Sequence, residues 1–176
     1  MTSTPERWLR GPVPDIPAWL QPVAHGLLQC GDEVHSHVHA LTADRIWAAP
    51  RGAASIGFHL RHAAGSLDRL FTYARGEALS ADQRAALASE AEPDRSPDAA
   101  AALVAAFDAA IARALDQLRA TPESTLLDQR FVGRARLPST VLGLLFHAAE
   151  HTQRHVGQLV TTIKLTTGDA AGHGQV

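Results

Sequence analysis

The chain has 176 residues, 45% of them hydrophobic and only 5% aromatic, enough for one domain with a substantial core. Abundant alanine favours closely packed helices over a sheet-rich fold. A formal charge of −2 with no block of like charge disfavours nucleic acid as a main partner, and no segment has the apolar length to span a bilayer.

The N-terminal stretch Met1 to Trp8 has no apolar h-region, and Cys30 is the lone cysteine, so no internal disulfide forms. A soluble cytoplasmic protein in a reducing compartment is the expectation. Pro5, Pro12, Pro14 and Pro17 are too many for a helix, so residues 1–17 read as an extended arm that Trp8 pins to the body. A first long helix is predicted from about Ala18 to Ala43, with Leu20, Val23, Leu27, Cys30, Val34, Val38 and Leu41 as its core stripe. Cys30 on that stripe reads as a buried small hydrophobe. His35 and His39 form an i, i+4 pair but lie about 100–140° from the stripe and look solvated. His37 is the member of this helix that could reach the interior.

A connection through Trp47, Pro50 and Gly52 leads to a second helix, about Ser55 to Arg75, with Ile56, Leu60, Ala63, Leu67, Leu70 and Ala74 as its apolar face. His59 lies about 70° from that face and His62 about 130°. Periodicity therefore selects His59 as the core-edge histidine, while Phe58, His62 and Tyr73 share a second flank. A short helix capped by Ser80 is predicted over about Ala81–Ser89, followed by a Pro-containing loop at 92–97. A third long helix runs from about Asp98 to Ala120, with Leu103, Phe107, Ile111 or Ala110, Ala114 and Leu118 inward. Residues 121–138 read as a long connection whose Arg130, Arg134 and Arg136 are solvated or, as the alternative, make an anionic contact.

The last helix starts at Ser139 or Thr140, either of which can cap it. Val141, Leu144, Leu145, Ala148, Val156, Leu159 and Ile163 make its stripe. His155, His151 and His147 lie about 60°, 100° and 140° from the centre of that stripe. The first two border the core and His147 points towards water. Imidazoles at i and i+4 can converge on one transition-metal ion, a spacing that also arises by chance. Thr152 follows His151, where a zinc-protease helix needs Glu, so protease chemistry is disfavoured. Glu150, about 100° round from His151, reads as solvated. The tail, 167–176, is rich in Gly and Ala and reads as frayed. Four long helices with long links after the second and third define an all-α four-helix bundle over residues 18–166.

Two stretches together, Ser55-Ile-Gly-Phe-His-Leu-Arg-His62-Ala-Ala-Gly-Ser66 and His151-Thr-Gln-Arg-His155-Val-Gly-Gln158, resemble the DinB-like (YfiT-like) metal-binding proteins. The likeness spans roughly residues 18–166, and its most specific part is the final HxxxHxGQ. It implies up-down-down-up connectivity, a homodimer, and one divalent metal held by one His of the second helix and two of the fourth. Carried over by position, the ligands are His62, His151 and His155. Periodicity prefers His59 and the family pattern His62; a site between two helices needs a flank residue, which favours His62 and leaves His59 and His147 as outer lining. Three neutral imidazoles suit Zn²⁺ or Ni²⁺ and leave a position for water or substrate. Some relatives are transferases that use bacillithiol or mycothiol, so the resemblance implies a small-molecule substrate and a low-molecular-weight thiol as partners. Three readings follow: a metal-dependent enzyme activating a thiol or water, a metal- or ligand-binding stress-response module without catalysis, and a bundle whose histidines are core-edge residues only.

Overall fold

A computed structural model describes residues 4–38 and 41–168. Six helices are present among them: α1 Gln21–Val38, α2 Ala43–Ile46, α3 Ile56–Ala74, α4 Ala81–Ala88, α5 Ala99–Ala120 and α6 Val141–Gly168. Local signals mark several helix ends. Ser55 Oγ accepts from the Phe58 amide at 3.1 Å to start α3. Gly76, at φ 81°, ends it in a Schellman turn, with Gly76 N donating to Tyr73 O and Glu77 N to Thr72 O. Ser80 and Gln83 close a reciprocal capping box on α4, and Thr140 Oγ1 accepts from Gly143 N at 3.0 Å to open α6.

The predicted stripes are the core. Leu20, Val23, Leu27, Cys30, Val34 and Val38 of the first, Leu103, Phe107, Ala110, Ile111, Ala114 and Leu118 of the third and Val141, Leu144, Leu145, Ala148, Val156, Leu159 and Ile163 of the last are all buried. The Cys30 thiol is pushed up to about 12, by burial first and by Glu33 second, so it stays protonated and inert.

Side-chain contacts give the direction of each helix. His59 meets His155 while His62 meets His151, so α3 and α6 run antiparallel. Gly31 of α1 faces Ile111 and His35 faces Asp108, so α1 and α5 run antiparallel. At one end Gln117 of α5 reaches Phe71 of α3; at the other, Arg95 before α5 reaches Asp44 of α2, while Trp47 covers Gly57 at the start of α3. Helices α3 and α5 are therefore parallel, and the order is up-down-down-up. Both α1 and α3 pack against α5 and α6.

Several expectations change. The described part of the first helix is Gln21–Val38, and it does not reach Ala43: Leu41 and Thr42 are not helical, and Thr42 accepts from Arg45 N to cap a separate short helix, α2. His39 lies outside the described residues, as does the end of the tail. Trp8 does not pin the arm: it is 62% exposed. Arg7 does so instead, through a bidentate pair with Asp32 at 2.7 and 2.5 Å, while Gln21 grips the backbone of Val13 and Ile16. The connection 121–138 contains an antiparallel hairpin, β1 Gln129–Val132 and β2 Leu137–Thr140, in register Gln129↔Thr140 to Val132↔Leu137. Strands of four residues are too short for alternation to announce. The hairpin rests on the end of α3, where Arg130 Nε donates to Ala74 O at 2.8 Å. Among the described residues no helix is long and apolar enough to cross a membrane.

Candidate metal centre

The antiparallel faces of α3 and α6 bring His62, His151 and His155 together, with one nitrogen from each lying within 4.8 Å of the other two. Ring centroids are 5.2 Å apart for His62–His151, 4.4 Å for His62–His155 and 4.6 Å for His151–His155. His62 Nε2 and His151 Nε2 are 3.0 Å apart. Two imidazoles on a tetrahedral zinc ion place their nitrogens roughly 3.3 Å apart, from a Zn–N distance of about 2.0–2.1 Å. Small ring movements on fixed helices therefore suffice, and the donor set fits a first-row divalent ion.

A hydrogen-bonded support stands behind the cluster. Glu90 Oε2 accepts from His62 Nδ1 at 2.7 Å, and Glu90 Oε1 accepts from Arg69 at 2.6 Å. Glu90 and Arg69 are 5% and 7% exposed, so neither charge is relieved by water. Burial works to raise the Glu90 carboxyl, but hydrogen bonds from His62 and Arg69 outweigh it and hold the group below the usual range. Glu90 accepts at Nδ1, which favours the His62 tautomer whose Nε2 lone pair is directed towards His151.

Glu90 reaches this place because the end of α4 is strapped to α3. Gln83 donates to Asp68 and Thr72, and Arg61 donates to the carbonyls of Ser89 and Glu92. Gly65 makes the room: a Cβ there would stand 2.7 Å from both Arg69 Nη1 and Glu90 Oε1. The glycine of the Ala-Ala-Gly-Ser stretch thus serves the support of His62 rather than the helix itself.

The remaining histidines fall around this core. His59 is 6% exposed and its Nδ1 lies 3.0 Å from Nδ1 of His155, so it touches one member of the cluster and not all three. Phe58 stacks on His62, with centroids 5.4 Å apart and planes at 15°. His147 stands outside, its Nδ1 3.1 Å from Glu150, which also pairs with Arg154. His37 stays on its own helix, against Glu33 O. Burial is the main cause that lowers His59, His151 and His155, with the charge of His62 next; His155 falls to about 4. At neutral pH these rings carry lone pairs and not charge, the state that ligation requires.

Sequence reasoning missed Glu90 and Arg69. Gly65 and Arg69 do follow His62 at i+3 and i+7, one face of one helix, which is a readable pattern. Nothing local marks Glu90 as the partner, because it comes from a different element 28 residues away.

The fold and the cluster define a helical bundle with an open three-histidine cradle between two antiparallel helices. The DinB superfamily matches residues 27–159, and the chain belongs to that superfamily. No curated protein matches the chain.

Proposed function

We propose that the protein holds a divalent transition metal, zinc or nickel, on His62, His151 and His155 and uses it to activate a small thiol or water against an electrophilic small molecule. The observation that carries this reading is the meeting of three imidazoles at one point, one of them hydrogen-bonded to a buried carboxylate. When bound, the ion would supply Lewis acidity and lower the pKa of a thiol or water reaching its open side.

The chain's own residues do the rest. Glu90 and Arg69 hold the His62 ring and its tautomer, and His59 Nδ1, 3.0 Å from His155 Nδ1, holds the ring of His155. The ring of Phe58 keeps bulk water from one face of His62. His151 Nε2 must give up any proton it donates towards His62, since His62 Nε2 carries the lone pair while Glu90 holds Nδ1–H. The reading extends to a homodimer acting on a small-molecule substrate, with a low-molecular-weight thiol as the second reactant.

A second reading is a metal-binding module without catalysis. The stacked Phe58 narrows the approach to the cluster, and the cleft of about 760 Å³ near the hairpin is lined by none of the three histidines. Metal analysis of untagged protein, followed by turnover assays with several thiols and hydrolysable esters, tests both. One equivalent of metal with thiol- or water-dependent turnover supports the enzyme. Metal without turnover supports the module, and absence of metal under saturating zinc and nickel contradicts both.

A further inference from the structure

A second place for a ligand lies at the far end of α3. Tyr73 there is 11 residues from His62, about 16 Å along the helix axis at 1.5 Å per residue. Between the end of α3, the start of α4 and the β1–β2 hairpin lies a cleft of about 760 Å³, within the size range of small-molecule sites. Arg84, Arg130, Arg134 and Arg136 line it against a single acid, Glu77. That acid is already engaged, because Arg75 sits 2.7 Å from its carboxylate.

Among the described residues none of the four guanidiniums has a carboxylate oxygen within hydrogen-bond distance. Arg84 donates to the carbonyl of Leu79. Arg130 donates to the carbonyls of Ala74 and Gln129, at 2.8 and 2.9 Å, with the carboxylate of Asp128 3.8 Å away. Carbonyl partners fix these planar forks in place without neutralising them. Arg136 lies over the ring of Phe131, 4.3 Å from its centroid. Arg134 has no ion pair or hydrogen bond among the described residues. Arg136 also sits at φ 50°, in the left-handed region where Gly or Asn is the relaxed choice, at the end of the turn that Gly133 opens at φ 66°. Backbone strain of this kind collects at ligand clamps and switch regions. Tyr73, Leu79, Leu87 and Phe131 add apolar wall.

From these observations we propose that the cleft binds a small organic polyanion, its phosphate or carboxylate groups held by the arginines and its apolar or planar body lying along Phe131 and Leu87. The site is separate from the histidine cluster and does not depend on metal there. A nucleic-acid duplex does not fit, since this group of arginines is the size of one cleft on a chain with net charge −2.

Isothermal titration of the full-length, untagged protein with ADP, citrate and adenosine tests this. ADP or citrate is expected to bind at one site, at least tenfold more tightly than adenosine and more weakly as salt rises from 50 to 300 mM. Tighter ADP assigns a phosphate ligand; tighter citrate assigns a polycarboxylate. Affinity for the preferred anion is expected to fall at least tenfold in Arg134→Ala/Arg136→Ala, to fall less in Arg134→Lys, and to persist in His151→Ala. Thermal melts check that each variant folds, and Arg134→Ala alone serves if the double variant does not. Absence of binding by both anions at millimolar concentration overturns the proposal. So do adenosine binding as tightly as ADP, affinity unchanged in a folded arginine variant, and loss of binding in His151→Ala.

Discussion

Replacing Glu90 by Gln isolates the part the buried carboxylate plays at the histidine cluster. The two side chains have the same shape, so packing is retained while the charge is lost. Glu90 accepts hydrogen bonds of 2.7 Å from His62 and 2.6 Å from Arg69, with side-chain exposures of 6% for Glu90, 20% for His62 and 9% for Arg69. Charge-assisted bonds in so dry a setting are worth about 1.5–3 kcal/mol each, against about 1 kcal/mol for neutral ones. Loss of the outer partner of a ligating histidine weakens metal binding by about 10- to 100-fold, or roughly 1.4–2.7 kcal/mol. Arg69 is left as a buried cation without its counter-charge, which costs stability of about 3 kcal/mol or more. Competition with a chromophoric chelator at pH 7.5 measures the first effect, and urea unfolding of the metal-free protein measures the second. Glu92→Gln, at an exposed neighbouring carboxylate, is the control and should change neither. A folded Glu90→Gln protein that binds metal within a factor of two of the wild type would refute the orienting role given to Glu90.

Three further outcomes follow from the same geometry. Gly65→Ala drives a methyl group to within 2.7 Å of Arg69 and Glu90, and the displaced pair should lower stability by about 1–3 kcal/mol, read by urea unfolding, and weaken metal binding, read by chelator competition. Acid should destabilise the metal-free protein early. His59, His151 and His155 are all held below the ordinary 6.5, His155 to about 4, so the unfolded chain binds more protons in this range. Their contribution is intact above pH 6.5 and is lost as pH falls from about 6.5 towards 4; urea midpoints unchanged from pH 7.5 to pH 5 would contradict this. Metal removal by a chelator should leave far-UV circular dichroism unchanged, because the apolar core of the four long helices does not involve the ion. A fall to the unfolded spectrum would make the metal structural instead.

The bundle was legible because its helices carry long apolar stripes that repeat over many turns, as Leu20 to Val38 and Val141 to Ile163 do. The hairpin was not, because four-residue strands carry too little period and Pro138 speaks against one of them. Of the cluster, periodicity alone placed His151 and His155 at the core edge but preferred His59 to His62. The family pattern and the need for a flank residue both pointed to His62, and in the structure it is His62 that clusters with His151 and His155. Flank position, not depth, decides which ring faces α6, and the buried His59 reaches only His155. Glu90 was hidden because its role depends on how Arg61 and Gln83 strap a linker to α3, a tertiary fact with no local signature. Trp8 misled for the opposite reason: a large aromatic in a proline-rich arm suggests an anchor, whereas the Arg7–Asp32 pair supplies it.

X-ray absorption at the metal edge, on untagged protein loaded with zinc or nickel, tests the proposed three-histidine site most directly. The account predicts one equivalent of metal with three imidazole nitrogens in its first shell, falling to two in His62→Ala. A metal surrounded by one imidazole or none, or a spectrum that His62→Ala leaves unchanged, would contradict it.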